Sequence, residues 1–151
     1  MHQLKILIGV LFAGSACTQP DTPTQGPVIN HTAIYVTDLR TSSSFYRNII
    51  GLYTIPEPFH DGKHAWFSLG NGVALHIIEG ADQQKEYFKN QHTCLSVESV
   101  DAFVSRLKSE AIEWEDRDGV RQAVTTRVDG VKQIWLRDPD GYWIEINDAK
   151  E

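Results

Sequence analysis

The sequence predicts an α+β fold of two βαβββ modules forming a cupped mixed β-sheet with helices on its outer face, and three observations predict it. The first is a repeated opening strand: HTAIYV from His31 and HTCLSV from His92 align at an offset of 61 residues, and a helix-like stretch follows each. The second is a repeated turn and strand, NGVALHIIEG from Asn71 and DPDGYWIEIN from Asp138. Side chains alternate along a strand, so Leu75 and Ile77 share one face, as do Ile144 and Ile146, while His76 and Glu145 fall on the other. Each of these two odd residues comes four after its turn glycine, and they stand 69 positions apart (76 to 145). The third is length: in a chain of 151 residues neither copy can bury a convincing core alone, so the two are halves of one domain.

Taken in order, residues 1–17 read as a leader. Lys5 precedes the apolar run ILIGVLF, and small residues then lead to Cys17. That is the layout of a secretory signal, too short for a membrane span. Ser15-Ala16-Cys17 resembles the end of a bacterial lipobox, which would make Cys17 a lipid anchor on an exported protein, in the periplasm or at the outer surface of the cell envelope. Residues 18–27, rich in Pro, Thr, Gln and Gly, read as a flexible tether. The domain occupies residues 28–151.

Its first strand is VINHTAIYV. In DLRTSSSFYRNIIGL, Phe45/Ile49 and Tyr46/Ile50 stand at helical spacing and Gly51 ends the helix. LYTIP, HAWFSL and VALHII read as strands, punctuated by Asp61-Gly62 and Asn71-Gly72, with Asn71-Gly72 and Asp140-Gly141 as two-residue hairpin turns. A polar link, GADQQKEYFKN, joins the halves. The second half opens with QHTCLSV. In SVDAFVSRLKSEAI, Val100, Phe103, Val104 and Leu107 mark one helical face behind Ser99 as N-cap. IEWED, AVTTRVD, VKQIWLRD and YWIEI then read as strands.

Composition excludes some functions. A formal charge of -6 without a basic run argues against nucleic acid, since phosphate binding needs a basic face. Two cysteines, Cys17 and Cys94, make no disulfide framework.

The chemistry lies in four residues at the repeat positions: His31, His76, His92 and Glu145. Three imidazoles and a carboxylate rising from four strands onto the concave side would be costly if merely buried, because an unpartnered ionised Glu is disfavoured in a cavity. A divalent cation removes that cost, and imidazole with one carboxylate suits Zn, Ni, Fe or Mn better than Ca or Mg. His60 and His64, flanking Asp61-Gly62, read as exposed decoration of a hairpin. Cys94 reads as small-residue packing, and Arg121, Arg127 and Lys132 as solvated strand charges.

From Val28 to Asn147 the chain resembles the vicinal oxygen chelate superfamily, the glyoxalase I, fosfomycin-resistance, bleomycin-resistance and extradiol dioxygenase fold. INHTAIYVTDL with FYRNIIGL, VALHI, QHTCLSV and DPDGYWIEI carry the likeness. The resemblance implies metal ligands at His31, His76, His92 and Glu145, and a small-molecule substrate holding two oxygens side by side. It also implies Glu145 as the base of a glyoxalase I-like lyase or isomerase, working by metal-stabilised enediolate chemistry on an α-hydroxycarbonyl or a 2-oxoaldehyde-derived substrate. Members often carry Glu where this chain has His76. Tyr35 stands where glutathione-dependent members commonly carry Arg, so the glutathione contact does not carry over. A homodimer follows by analogy. Three rival readings are an Fe(II) extradiol-type dioxygenase using His31, His92 and Glu145, a fosfomycin-type thiol transferase with a comparable His, His, Glu set, and a non-catalytic metal or small-ligand binder of the cell envelope.

Overall fold

The computed structural model describes residues 26–150. The leader, Cys17 and most of the tether therefore lie outside the described residues. The first module runs β1 (His31–Val36), α1 (Leu39–Ser44), a π-helical turn (Phe45–Ile50), β2 (Thr54–Ile55), β3 (His64–Gly70) and β4 (Val73–Glu79). The second runs β5 (His92–Ser96), α2 (Val100–Ser109), β6 (Thr125–Thr126), β7 (Lys132–Arg137) and β8 (Trp143–Asn147). Each module makes a four-stranded mixed sheet, in the orders β1-β4-β3-β2 and β5-β8-β7-β6. The opening and closing strands pair in parallel, β1 with β4 and β5 with β8, and the remaining neighbours are antiparallel. The predicted α+β architecture of two βαβββ units is thus present.

Local chemistry sets the element ends. Asp38 caps α1 by accepting from the Thr41 amide, and Ser99 caps α2 by accepting from the Ala102 amide, each satisfying a donor the helix leaves unpaired. The first helix loosens to π geometry and stops at Gly51, whose left-handed backbone (φ 92°) lets the Gly51 and Leu52 amides both donate to Tyr46 O. One of the two hairpins follows expectation and the other does not. Asn71 and Gly72 both have positive φ, 48° and 77°, as a two-residue type I′ turn requires. At the other hairpin only Gly141 does, and the bond from the Asp138 amide to Tyr142 O encloses three residues, Pro139, Asp140 and Gly141. IEWED forms no strand. Glu115 bridges Trp135 and Arg121 singly, and the chain then turns on Asp116, whose carboxylate accepts from the Asp118 and Val120 amides.

One continuous core joins the modules. Ile34, Val36, Phe67, Leu75 and Ile77 from the first sheet share it with Ile134, Leu136, Ile144 and Ile146 from the second, and α2 adds Val100, Phe103, Val104 and Leu107. The aliphatic faces of both sheets thus serve a common interior, which leaves their other faces to carry chemistry. A buried polar seam ties the modules at one end. Asp140 accepts from the Thr37 amide and hydroxyl and from the Ser42 hydroxyl, while Asp138 accepts from the Tyr46 hydroxyl.

Candidate metal centre

The structure places the four candidate ligands on the faces opposite the core, as two pairs, one per module, rather than as one group of four. Among the described residues no three His, Cys, Asp or Glu side chains come together in a way that could hold a metal ion. In the second module, His92 Nε2 stands 2.9 Å from Glu145 Oε2. Cys94 lies beside Glu145 in the parallel pairing of β5 with β8, so His92 reaches it on the diagonal. In the first module the same offset relates His31 to His76 through Ala33. There the ring centroids are 6.1 Å apart, and His76 Nε2 instead meets His64 Nδ1 at 2.7 Å.

The donor chemistry fits a cation. His92 donates from Nδ1 to Lys89 O at 2.9 Å, and His31 from Nδ1 to Asn30 Oδ1 at 2.8 Å. Each neutral ring then keeps its lone pair on Nε2, the arrangement that outer hydrogen bonds impose on ligand histidines. His92 Nε2 and Glu145 Oε2 are close enough for both to bind one ion set to the side of the line joining them. Two donors about 2.1 Å from one ion and at a right angle to each other stand about 3 Å apart, close to the spacing seen. Asn147 Nδ2 holds the carboxylate by donating to Oε1 at 3.1 Å. Burial, then the neighbouring His64 and His31, lower the His76 pKa below the usual histidine value, which keeps the ring neutral at pH 7 as a ligand must be.

Two tryptophans complete the pattern, and the sequence held the signal for them. Trp66 pairs across the sheet with His76 and Trp135 with Glu145, and they too are 69 positions apart. Trp66 stacks on His76 with centroids 4.3 Å apart and also approaches His31 at 5.2 Å; Trp135 meets His92 edge-on at 6.1 Å. His64 corrects the expectation of an exposed hairpin histidine. Its side chain is 17% exposed against 83% for His60, and it packs between Phe59 and His76.

Partial burial, then the Glu145 charge, push the Cys94 thiol up to about 12, so it stays protonated rather than acting as a nucleophile. Arg121 pairs with Glu113, Arg127 with Asp129 and Lys132 with Asp101. A cavity of about 730 Å³ opens at the end of β7, lined by Trp114, Trp135, Trp143, Leu136 and Arg137, and none of the four candidate ligands lines it. Arg137 lies 4.4 Å above the Trp143 ring.

Residues 28–146 match the family model of the Glyoxalase/Bleomycin resistance protein/Dioxygenase superfamily. The chain belongs to this superfamily. Its members are typically enzymes, generally use divalent metal ions, commonly act on small molecules and commonly form dimers. The chain is 24% identical to the lactoylglutathione lyase of Pseudomonas aeruginosa, over 88% of this chain and 89% of that protein. It is 29% identical to the human mitochondrial methylmalonyl-CoA epimerase, over 89% and 84%. Among solved structures, the oxidase ChaP-H2 superposes with a TM-score of 0.69 at 22% identity, covering 83% of this chain and 96% of the other. This superfamily member thus shares its fold with proteins of differing activity.

Proposed function

We propose that this protein is a divalent-metal-dependent lyase or isomerase of the glyoxalase I type, acting on a small substrate with adjacent oxygens, with His31, His76, His92 and Glu145 as the metal ligands. The observation that carries the reading is the His92–Glu145 pair, held 2.9 Å apart with its outer nitrogen and oxygen already engaged. A divalent ion held by these residues would supply Lewis-acid polarisation of the substrate oxygens. Glu145 takes the proton from the carbon next to the carbonyl, the role of a positioned carboxylate base. The names of two relatives fit, since isomerising a 2-oxoaldehyde adduct and epimerising methylmalonyl-CoA both move a proton at such a carbon.

Because both ligand faces lie on the far side of a shared core, the reading includes a homodimer in which the first module of one chain meets the second module of its partner. Three neutral imidazoles and one carboxylate around a divalent ion leave a charge of about +1 by simple counting, which favours binding of an oxyanion. One observation favours a second reading. His76 Nε2 is engaged by His64, and should His76 stay off the ion, His31, His92 and Glu145 form the two-histidine, one-carboxylate set of Fe(II) oxygenases.

Elemental analysis of the purified protein, with turnover of methylglyoxal in the presence and absence of thiols, tests both. The expected result is near-stoichiometric transition metal, lost on Glu145→Gln and His76→Ala, with isomerisation reduced at least about 100-fold by Glu145→Gln. Oxygen uptake with a catechol, insensitive to His76→Ala, would establish the oxygenase instead. A metal-free wild type that still binds small ligands would replace both with a sequestering protein.

A further inference from the structure

We infer that Asp61 and His64 form a relay that fixes which nitrogen of His76 faces the metal, Asp61 acting through its charge and His64 through a hydrogen bond, which makes His64 a positioning residue of the site. This rests on the metal reading above and adds to it Asp61, from the turn before β3, and His64, the first residue of β3. His64 pairs with Ile78 in the β3–β4 ladder, so it shares a face with His76 and reaches it on the diagonal. His64 Nδ1 and His76 Nε2 stand 2.7 Å apart, and on its other side His64 Nε2 lies 3.4 Å from Asp61 Oδ2. Phe59 closes the far face of the His64 ring with centroids 4.4 Å apart, while Trp66 closes the far side of His76. These contacts hold the planes of both rings, and the hydrogen bond between them selects the orientation within the plane.

Two imidazole nitrogens at 2.7 Å share one hydrogen, and either ring can be its donor. Asp61 decides between them. Its negative charge 3.4 Å from Nε2 favours the tautomer of His64 with the hydrogen on Nε2 and a lone pair at Nδ1. His76 must then donate from Nε2, and Nδ1 is the lone pair left for an ion. His31 and His92 are fixed the other way round, with Nδ1 engaged and Nε2 free. The second module has no counterpart of the relay: the residue 69 positions beyond His64 is the buried Gln133, and Glu145 has no tautomer to fix. A ligand histidine placed where its repeat partner is a carboxylate needs orientation that the carboxylate does not, and Asp61 with His64 provide it.

The test is titration of the metal-stripped full chain with Co(II), followed by visible absorption and by the Co(II)-shifted ring N–H resonances in the proton spectrum. The comparison set is wild type, His64→Leu, His64→Gln, Asp61→Asn and Glu145→Gln. His64→Leu should weaken Co(II) binding about 10- to 100-fold and abolish the exchange-protected His76 N–H signal. His64→Gln keeps an acceptor for that N–H and should restore binding to within about threefold of wild type. Asp61→Asn, at an exposed position that tolerates change, should weaken binding less and broaden the signal. Wild-type affinity in His64→Leu overturns the relay alone, provided Glu145→Gln has lost Co(II). Equal loss in the Leu and Gln variants also overturns it, because that marks packing rather than hydrogen bonding. A wild type that takes up no Co(II), or a Glu145→Gln that retains it, overturns the metal reading and the relay together.

Discussion

Asp138 shows how a single buried carboxylate couples fold to pH. Burial, and then the nearby Asp140 charge, work against ionisation, while hydrogen bonds from Tyr46 and from the Asp140 and Tyr142 amides favour it. Burial wins, raising the pKa to about 6. A native pKa above the unfolded value means that the folded chain holds the proton more tightly. This group's contribution to stability is therefore full below about pH 4 and is lost as pH rises through 6. Urea titrations between pH 4 and 7 should show wild type losing on the order of 2–4 kcal/mol relative to Asp138→Asn, which keeps an acceptor for both amides. A stability difference that does not change with pH would mean Asp138 is ionised throughout. Residue types were the most legible feature of this chain: the four repeat positions identify His31, His76, His92 and Glu145 because a polar residue breaks an aliphatic alternation. His64 was not legible. Nothing in HDGKHAW distinguishes an exposed histidine from one turned inward, since that depends on a diagonal contact with His76, twelve residues further on.

At the scale of elements, the long strands and α2 followed from period and capping, while the edge strands formed inside LYTIP and AVTTRVD but only as two-residue pieces, and IEWED did not form one. IEWED has the composition of a strand, yet Asp116 captures two downstream amides and ends the pairing after one bridge. Turn type was equally hidden, because Asp140 spends its carboxylate on Thr37 and Ser42 in the other module instead of adopting a left-handed backbone. Gly141 carries a second constraint. A Cβ there would stand 2.6 Å from Lys85 O, on a backbone with φ 92°. The link that passes over it also accepts from the Trp143 indole at Tyr87 O and supplies Lys89 O to His92. Gly141→Ala should therefore lower stability by about 1–3 kcal/mol and weaken metal binding as well, both readable in one denaturation series with and without Co(II). For comparison, Ser99→Ala at the start of α2 should cost about 1 kcal/mol and leave metal binding unchanged.

At the scale of the whole molecule, the repeat was legible and the meeting of its halves was not. Sequence alternation tells which face of each sheet is aliphatic, but one core can join two aliphatic faces either with the polar faces together or with them apart. The structure takes the second course within one chain. If the proposed dimer unites the pairs, a mixture of His76→Ala and Glu145→Gln chains, each inactive alone, should regain roughly a quarter of wild-type activity after exchange, through the one intact site in each mixed dimer. No recovery, with mixed dimers demonstrated by mass, would exclude a shared site. We also propose that the chain is exported and anchored through Cys17. Cys17→Ser should then move it from the membrane to the soluble fraction of the cell envelope without altering the domain.

The stacking of Trp66 on His76 gives the protein an optical gauge of its own contents. An open-shell ion such as Co(II) or Ni(II) seated on that imidazole would darken the indole's fluorescence, while closed-shell Zn(II) would leave it bright, so emission would report uptake of an open-shell ion and its displacement by zinc.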